Sequence, residues 1–464
     1  MEPLNNSNYQ KAHHIMLCTG KVIYYVFNIV ILGTLSLLFG NFSIFVIGLI
    51  SLTVLCCFLP NELFSGNNTL CMLLLSLVIF GFFLLAYYGL IEKYGKPYYA
   101  NDDEKFEAYG LKMFNQNVFI FADLPYISGL DFARGYLIPL AWIYRVSSLF
   151  DGYHTVIPRV VNIYSWFFIS MLVFRIIRGK GISLNTSFKC FAILTAFPNA
   201  LYISSFVYRD VYITLLLVVF YYSLEKILSN RIGIITIGYG IIIAYCSYAM
   251  YYTRMQMLFV FIGLAAFMIV TNLRKKGKDI LNPVTVIIAI MLAVLLLFVT
   301  GGFKKLNSTS SFYSEYILSS DGGLSQTVFS TPLFPFGFLL RIVYGYMVPF
   351  PGEILRLNYF GEPLYSVIQF LVCLGTIFQI VLFPYLLRQA IKLKRDIFSF
   401  LIVYASIVLT TFTFRHFVMM YPFLAIVAAS EYDEVHGDRF RKIYMPMIFL
   451  IVFAGILYLV LKMM

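Results

Sequence analysis

The chain has 464 residues, 61% of them hydrophobic, 18% aromatic and only 12% charged, with a formal net charge of +12 and a mean hydropathy of +0.84. A water-soluble domain cannot hide that much apolar surface, and apolar runs of about 20 residues recur without barrel alternation, so a polytopic helical membrane protein is expected. The positive balance is then a question of membrane topology, because no basic strip with interleaved aromatics marks a nucleic-acid surface.

In chain order, residues 1–21 are polar and carry Lys11, His13, His14 and Lys21. No small-residue cleavage site follows the first apolar run, which is therefore read as a retained membrane helix. Apolar runs lie at 22–39, 43–59, 70–90, 160–177, 187–207, 211–228, 232–252, 255–273, 280–300, 363–387, 397–413, 416–430 and 443–461. Helices of this length span a bilayer, which predicts an all-α polytopic membrane protein with about 11–13 transmembrane helices. Residues 1–464 form a single integral membrane domain in this reading, with large outer loops at 91–159 and 301–362. Two segments inside those loops, Tyr136–Phe150 with Arg145 and Pro335–Pro351 with Arg341, are short or proline-broken. They are expected to be interfacial or re-entrant on the outer face. The Ser-rich stretch Asn307–Ser320 reads as a loop. All seven cysteines lie in or beside apolar runs, which argues against a disulfide framework or a C-x-x-C metal site.

The basic residues set the direction. With a cytoplasmic N-terminus, short inner segments carry Arg175, Arg178, Lys180 and Lys189, then Lys226 and Arg231, then Arg274–Lys278, Arg388–Arg395 and Arg439–Lys442. Together with Lys11 and Lys21 they hold more than half of the 34 Lys and Arg, as the positive-inside rule requires. The charges left inside or capping apolar runs then fall on the outer face: Arg209 with Asp210, Arg254, Arg341, and Arg415 with His416. The acidic run Asp102, Asp103 and Glu104 falls there too, with Arg134 and Tyr136 further along the same loop.

An ionisable group near hydrocarbon is costly and marks a functional candidate. Guanidinium binds phosphate through paired hydrogen bonds, so arginines sharing a side suit a phosphate or pyrophosphate. The plainer alternatives are a solvated acidic loop, arginines that only anchor helix ends, and an Arg209–Asp210 pair that neutralises itself. Adjacent Asp102 and Asp103 could hold one divalent ion beside a substrate phosphate. The five histidines are dispersed and no Walker loop is present.

Several stretches resemble membrane glycosyltransferases of the GT-C superfamily and the related O-antigen and capsule repeat-unit polymerases. D-D-E-K-F-E-A-Y after a membrane helix is similar to the acidic motif of the first outer loop, and G-Y-L-I-P-L-A-W-I-Y-R-V-S-S-L-F-D-G leading to I-P-R-V-V-N-I resembles the following outer helix and span. F-P-N-A-L-Y-I-S-S-F-V-Y-R-D resembles a segment running from proline to a charged pair, and R-H-F-V-M-M-Y-P a late Arg-to-Pro element. Arg341 to Gly352 fits the polymerases' pattern of Arg, ten residues, Gly. Two helices before the acidic loop are extra to the simplest layout.

The resemblance implies glycosyl transfer from a polyprenyl-phosphate- or pyrophosphate-linked donor to a glycan acceptor on the outer face of a bacterial inner membrane. It implies Asp102 or Asp103 as general base and Arg209, Arg254, Arg341, Arg415 and His416 around the lipid phosphate. Glu104, Asp210, Arg134 and Tyr136 are further candidates. The implied partners are the lipid-linked donor and acceptor, the bilayer, and chain-length regulator or flippase proteins; no cofactor beyond the divalent ion is implied. The competing expectation is a transporter or flippase of a lipid-linked sugar, which wants the arginines but no base.

Overall fold

The computed structural model describes residues 6–65, 67–99, 101–127, 134–229, 233–275, 328–332, 336–410 and 413–434, with single residues or pairs at 311–318 and 445–452. The expected run at 280–300, most of that at 443–461 and most of Asn307–Ser320 lie outside the described residues. Among the described residues the structure is helical and contains no strand.

The helices, in order, are α1 (Asn6–Phe39), α2 (Phe42–Phe58), α3 (Asn68–Tyr94), α4 (Asn101–Asn115), α5 (Leu137–Ser147), α6 (Val156–Gly179), α7 (Leu184–Thr195) and α8 (Pro198–Ser204). They continue as α9 (Arg209–Ser229), α10 (Ile234–Arg254), α11 (Met257–Lys275), α12 (Phe338–Tyr346), α13 (Pro363–Val381), α14 (Phe383–Ile391), α15 (Arg395–Thr410) and α16 (Tyr421–Glu434). Among the described residues, six helices are long and apolar enough to cross a membrane: Thr19–Phe39, Asn68–Tyr94, Val156–Gly179, Arg209–Ser229, Ile234–Arg254 and Pro363–Ile391. The protein is an all-α polytopic membrane protein.

Proline explains where the helices depart from the apolar runs. The expected run 187–207 is broken into α7 and α8, because Pro198 cannot donate to a continuing helix and instead starts a new one at its first position. The run 416–430 begins as a 3-10 turn, Phe414–Met420, and becomes α-helical only from Tyr421, next to Pro422. The two segments expected to be interfacial form α5, of 11 residues, and α12, of nine. At 1.5 Å per residue these reach about 16 and 14 Å, roughly half the hydrocarbon thickness.

The chain divides into two compact units. The first comprises Met1–Leu215, Tyr252–Arg254 and Arg356–Val372, and the second Leu216–Tyr251, Met255–Leu355 and Cys373–Met464.

Within the first unit, side-chain bonds give the helix directions. Tyr25 meets Thr53 and Lys21 meets the Leu59 carbonyl, so α1 and α2 run antiparallel. The Phe42 amide donates to Asp151 and Arg175 donates to the Phe58 carbonyl, so α2 and α6 run parallel. Trp166 donates to Leu194 and Arg159 to Ser205, which sets α6 antiparallel to α7–α8. One end therefore holds Lys21, Arg175 and Arg178, with Arg178 Nε 3.2 Å from Glu62. The other end holds Asp151, Arg159 and Ser205, and the 24 residues of α6 separate the two by about 36 Å. Lipid gives helices no hydrophobic reason to associate, so close packing and interhelical hydrogen bonds hold them, such as Asn28 Nδ2 to Ser76 Oγ at 3.1 Å between α1 and α3.

In the second unit α15 packs against α11, α12 and α16, and α14 packs on α16. Tyr346 and Gln379 exchange two bonds: the Tyr346 hydroxyl donates to the Gln379 carbonyl at 2.7 Å, and Gln379 Nε2 donates to the Tyr346 carbonyl at 2.6 Å.

Candidate functional site

The acidic run opens α4, and that placement is part of why the helix starts there. Asp102, Asp103 and Glu104 occupy its first turn, where the exposed amides and the helix dipole favour negative charge. Helical spacing then gives the acids different surroundings. Asp103 and Glu107, four apart, share one face and are buried, whereas Asp102 is half-buried and Glu104 exposed. Glu104 reaches back to Lys96 at 2.5 Å, a surface pair that contributes little.

The buried face of α4 meets Arg159, in the first turn of α6. Arg159 is wholly buried, as is Asp103. Its Nε donates to the Ser205 carbonyl at 3.1 Å, Nη1 to the Thr155 carbonyl at 2.9 Å and Nη2 to the Pro97 carbonyl at 2.6 Å. The same guanidinium lies 3.9 Å from Asp103 Oδ2 and 3.8 Å from Glu107 Oε1, and the rings of Tyr87 and Tyr98 cover it at 5.7 and 5.3 Å. Glu107 also accepts from Thr155 and, at 2.7 Å, from the Tyr98 hydroxyl. Burial pushes that hydroxyl up to about 12, with Glu107 adding to the effect, so Tyr98 stays protonated and donates. Two carboxylates thus face one guanidinium. Burial pushes the Asp103 carboxyl up to about 7, against the pull of Arg159 and of the Val207 amide.

The cluster also holds a break between two helices. α8 stops at Ser204 and α9 begins at Arg209, and the backbone between them is bonded by side chains from α4 and α6. The Val207 amide donates to Asp103 Oδ1 at 2.7 Å, Arg159 takes the Ser205 carbonyl, and Asn162, one turn along α6, donates to the Phe206 carbonyl at 2.8 Å. The held break sets the first residues of α9. Arg209 donates to the Thr253 carbonyl at 3.0 Å, and Asp210 Oδ1 lies 3.6 Å from Arg254 Nη1, the last two side chains both buried. Asp210 is therefore partnered by Arg254, at the end of α10. Adjacent residues point about 100° apart around a helix, and Asp210 turns toward Arg254.

Arg134 and Tyr136 belong to the same end of this unit. Arg134 donates to the Pro125 carbonyl at 3.0 Å, and the Tyr136 hydroxyl accepts from Asn162 at 3.4 Å. Gly135 between them lies against Thr253: a Cβ there would stand 2.3 Å from Thr253 Oγ1 and 2.7 Å from its amide nitrogen, so only glycine fits.

The first unit thus brings Asp102, Asp103, Tyr136, Arg209, Asp210 and Arg254 to one end. Arg341, Arg415 and His416 lie in the second unit. Arg341 is buried, donates to Ser314 at 3.0 Å and stacks 4.7 Å over the Phe329 ring. Arg415 is half-buried, and buried His416 shares a 2.7 Å bond between Nδ1 and the Thr413 hydroxyl.

Two residues of the site escaped the sequence reading, Arg159 and Glu107. Both carried a signal: Glu107 is four residues from Asp103, and Arg159 sits three residues before Asn162 within an apolar helix. The donor set does not suit a divalent ion at Asp102–Asp103. Asp103 is bonded to the Val207 amide and faces a guanidinium, which would repel a cation, and among the described residues no three His, Cys, Asp or Glu side chains converge.

No protein-family model, curated protein or solved structure matches the chain.

Proposed function

We propose that this end of the first unit carries out glycosyl transfer from a polyprenyl-phosphate- or pyrophosphate-linked donor, in the assembly of a surface polysaccharide by joining repeat units. The observation that carries the reading is the break Ser205–Tyr208. Asp103, Arg159 and Asn162 hold it, and it places Arg209 and the Asp210–Arg254 pair in the same charged end as half-buried Asp102.

Of the two adjacent aspartates, Asp102 is the one that an acceptor can reach, whereas Asp103 is wholly buried. As general base Asp102 takes the proton from the acceptor hydroxyl while that oxygen forms its bond to the anomeric carbon. The anomeric carbon–oxygen bond to the lipid phosphate breaks, and the phosphate leaves with the electron pair. Arg209, half-buried at the start of α9, stabilises the charge growing on it, helped by the positive end of the α9 dipole. Asp103 is a positioning residue, because it fixes Val207 and Arg159 rather than touching substrate. In this reading the N-terminus is cytoplasmic and the charged end faces outward from a bacterial inner membrane, following the basic-residue asymmetry.

The test is chemical. Removal of the protein from cells, followed by extraction and mass analysis of lipid-linked glycans, should reveal a complete, unpolymerised repeat unit. A truncated glycan would replace block polymerisation with transfer of a single sugar. An unchanged lipid-linked pool would contradict the reading. At Arg209, Lys in place of Arg removes the two-pronged phosphate bond while retaining charge. Loss of glycan synthesis is expected at Arg209 with normal insertion, and wild-type synthesis in Arg209→Lys would remove that residue from the phosphate site.

A further inference from the structure

Beside Asp102 the first unit builds an aromatic surface that the transfer chemistry does not use. Four separate segments supply its rings: Tyr94 ends α3, Tyr99 lies in the linker to α4, Tyr202 and Phe206 come from α8 and the break after it, and Tyr365 begins α13. Tyr99 packs on Tyr202 and Phe206 with centroid distances of 6.2 and 5.8 Å, and Tyr202 meets Phe206 at 4.7 Å. Tyr94 touches both Tyr99 and Tyr365, at 6.1 and 5.9 Å. The lower layer is buried, while Tyr94 and Tyr99 remain 42% and 47% exposed.

The surface is held firmly. The α13 backbone comes so close to α3 that a Cβ at Gly89 would lie 3.1 Å from the Tyr365 Cα, and the Tyr365 amide donates to Glu92 at 3.0 Å. Gln369 donates to the Tyr202 hydroxyl at 2.9 Å, and the Tyr94 and Tyr365 hydroxyls lie 3.4 Å apart. Charged groups border the rings: Lys93 pairs with Glu362 at 2.6 Å and lies 5.7 Å over the Tyr365 ring, and Lys96 pairs with Glu104.

A ring belt at a membrane interface also uses tyrosine. Such a belt has no need of a two-layer stack drawn from four segments, or of carboxylates and ammonium groups at its rim. A pyranose has that need. One face of the sugar ring is a patch of C–H groups that packs on an aromatic face, and its edge is a circle of hydroxyls that bond to phenols, carboxylates and ammonium groups. Tyr99 stands three residues before Asp102, so the two are within about 11 Å along the chain. We infer that Tyr94, Tyr99 and Tyr365 form a sugar-stacking platform that seats a hexopyranose unit of the glycan next to Asp102. This rests on the glycosyl-transfer reading of the same end.

The test uses the full chain purified in a polyoxyethylene detergent, which carries no sugar headgroup. Saturation-transfer NMR is recorded with glucose, galactose, N-acetylglucosamine and rhamnose as probes. Transfer to ring C–H protons of at least one sugar is expected, weakened about three- to tenfold in Tyr99→Ala and retained in Tyr99→Phe. Asp102→Asn should keep the transfer while losing glycan synthesis, which separates the platform from the chemistry. If Asp102→Asn keeps synthesis while Tyr99→Ala loses the sugar signal, the platform stands and the transfer reading falls. No signal from any probe overturns the platform. So does an equal signal in Tyr94→Ala, Tyr99→Ala and the parent, or transfer to detergent chains alone, which marks a membrane belt.

Discussion

Each unit buries a carboxylate cluster, and the two are built on opposite ratios of charge. In the second unit Glu431, fully buried, is met by Arg388 at 2.6 Å, Lys394 at 3.0 Å and Lys392 at 3.7 Å. Those three cations are only partly buried, and Lys392 and Lys394 also reach Glu434. In the first unit two buried acids, Asp103 and Glu107, face the single guanidinium of Arg159, and all three are buried. The Glu431 cluster is a staple: its cations keep contact with water and would survive its loss. The Arg159 cluster has no such reserve, and its surplus acid leaves a proton-binding carboxyl, Asp103, against the segment that leads into Arg209. An arrangement saturated with cations suits fixing two helices together; one short of cations suits holding a reactive segment.

The contrast can be broken most forcefully at Arg159. Arg159→Met leaves two buried acids without their cation, and removal of one partner from a buried pair costs about 3–5 kcal/mol. Loss of monodisperse protein on size exclusion, or a large fall in thermal midpoint, is expected. Arg159→Lys should be intermediate, because it keeps charge but cannot bond Pro97, Thr155 and Ser205 together. A fully stable Arg159→Met would remove the cluster from the account.

Glu431→Gln should cost less, about 1–3 kcal/mol, since its cations can turn to solvent or Glu434. The same thermal measurement checks it, and a loss equal to that of Arg159→Met would erase the difference between the two clusters. Gly135→Ala should cost a similar 1–3 kcal/mol from overpacking. Its methyl group would press on Thr253, whose carbonyl holds Arg209, so glycan synthesis should fall with it.

A further effect is on pH dependence. The Asp103 carboxyl is raised from an ordinary 3.8 to about 7 in the folded chain. The folded state therefore binds that proton more tightly than the unfolded state does. The stability it contributes is fully present below about 4 and is lost as pH rises to about 7. Asp103→Asn, which removes the titrating group, should flatten the thermal midpoint across that window. An unchanged slope would mean that Asp103 does not titrate there.

Six of the apolar runs were legible as membrane-length helices, and so was the shared end of Asp102, Arg209 and Arg254. Each depends on local composition and on alternation along the chain. The pairing was not legible. Asp210 answering Arg254 joins residues 44 apart, and Asp103 bonding Val207 spans 104 positions. Both depend on how α6, α8 and α10 end together, which no local pattern encodes. Arg159 was passed over because an arginine at the start of an apolar helix reads as an anchor at the interface. Its three bonds to backbone carbonyls appear only once the linker before α4 and the break after α8 are folded around it.

The central claim is that half-buried Asp102, rather than its buried neighbour, meets the substrate. The most direct measurement is glycan synthesis by Asp102→Asn and Asp103→Asn at matched protein levels in the membrane. Loss of a general base lowers rate by about 10²–10⁴-fold, so Asp102→Asn should nearly abolish synthesis with its thermal midpoint unchanged. Asp103→Asn, whose amide oxygen can still accept from Val207, should retain measurable synthesis. Full synthesis by Asp102→Asn would contradict the account.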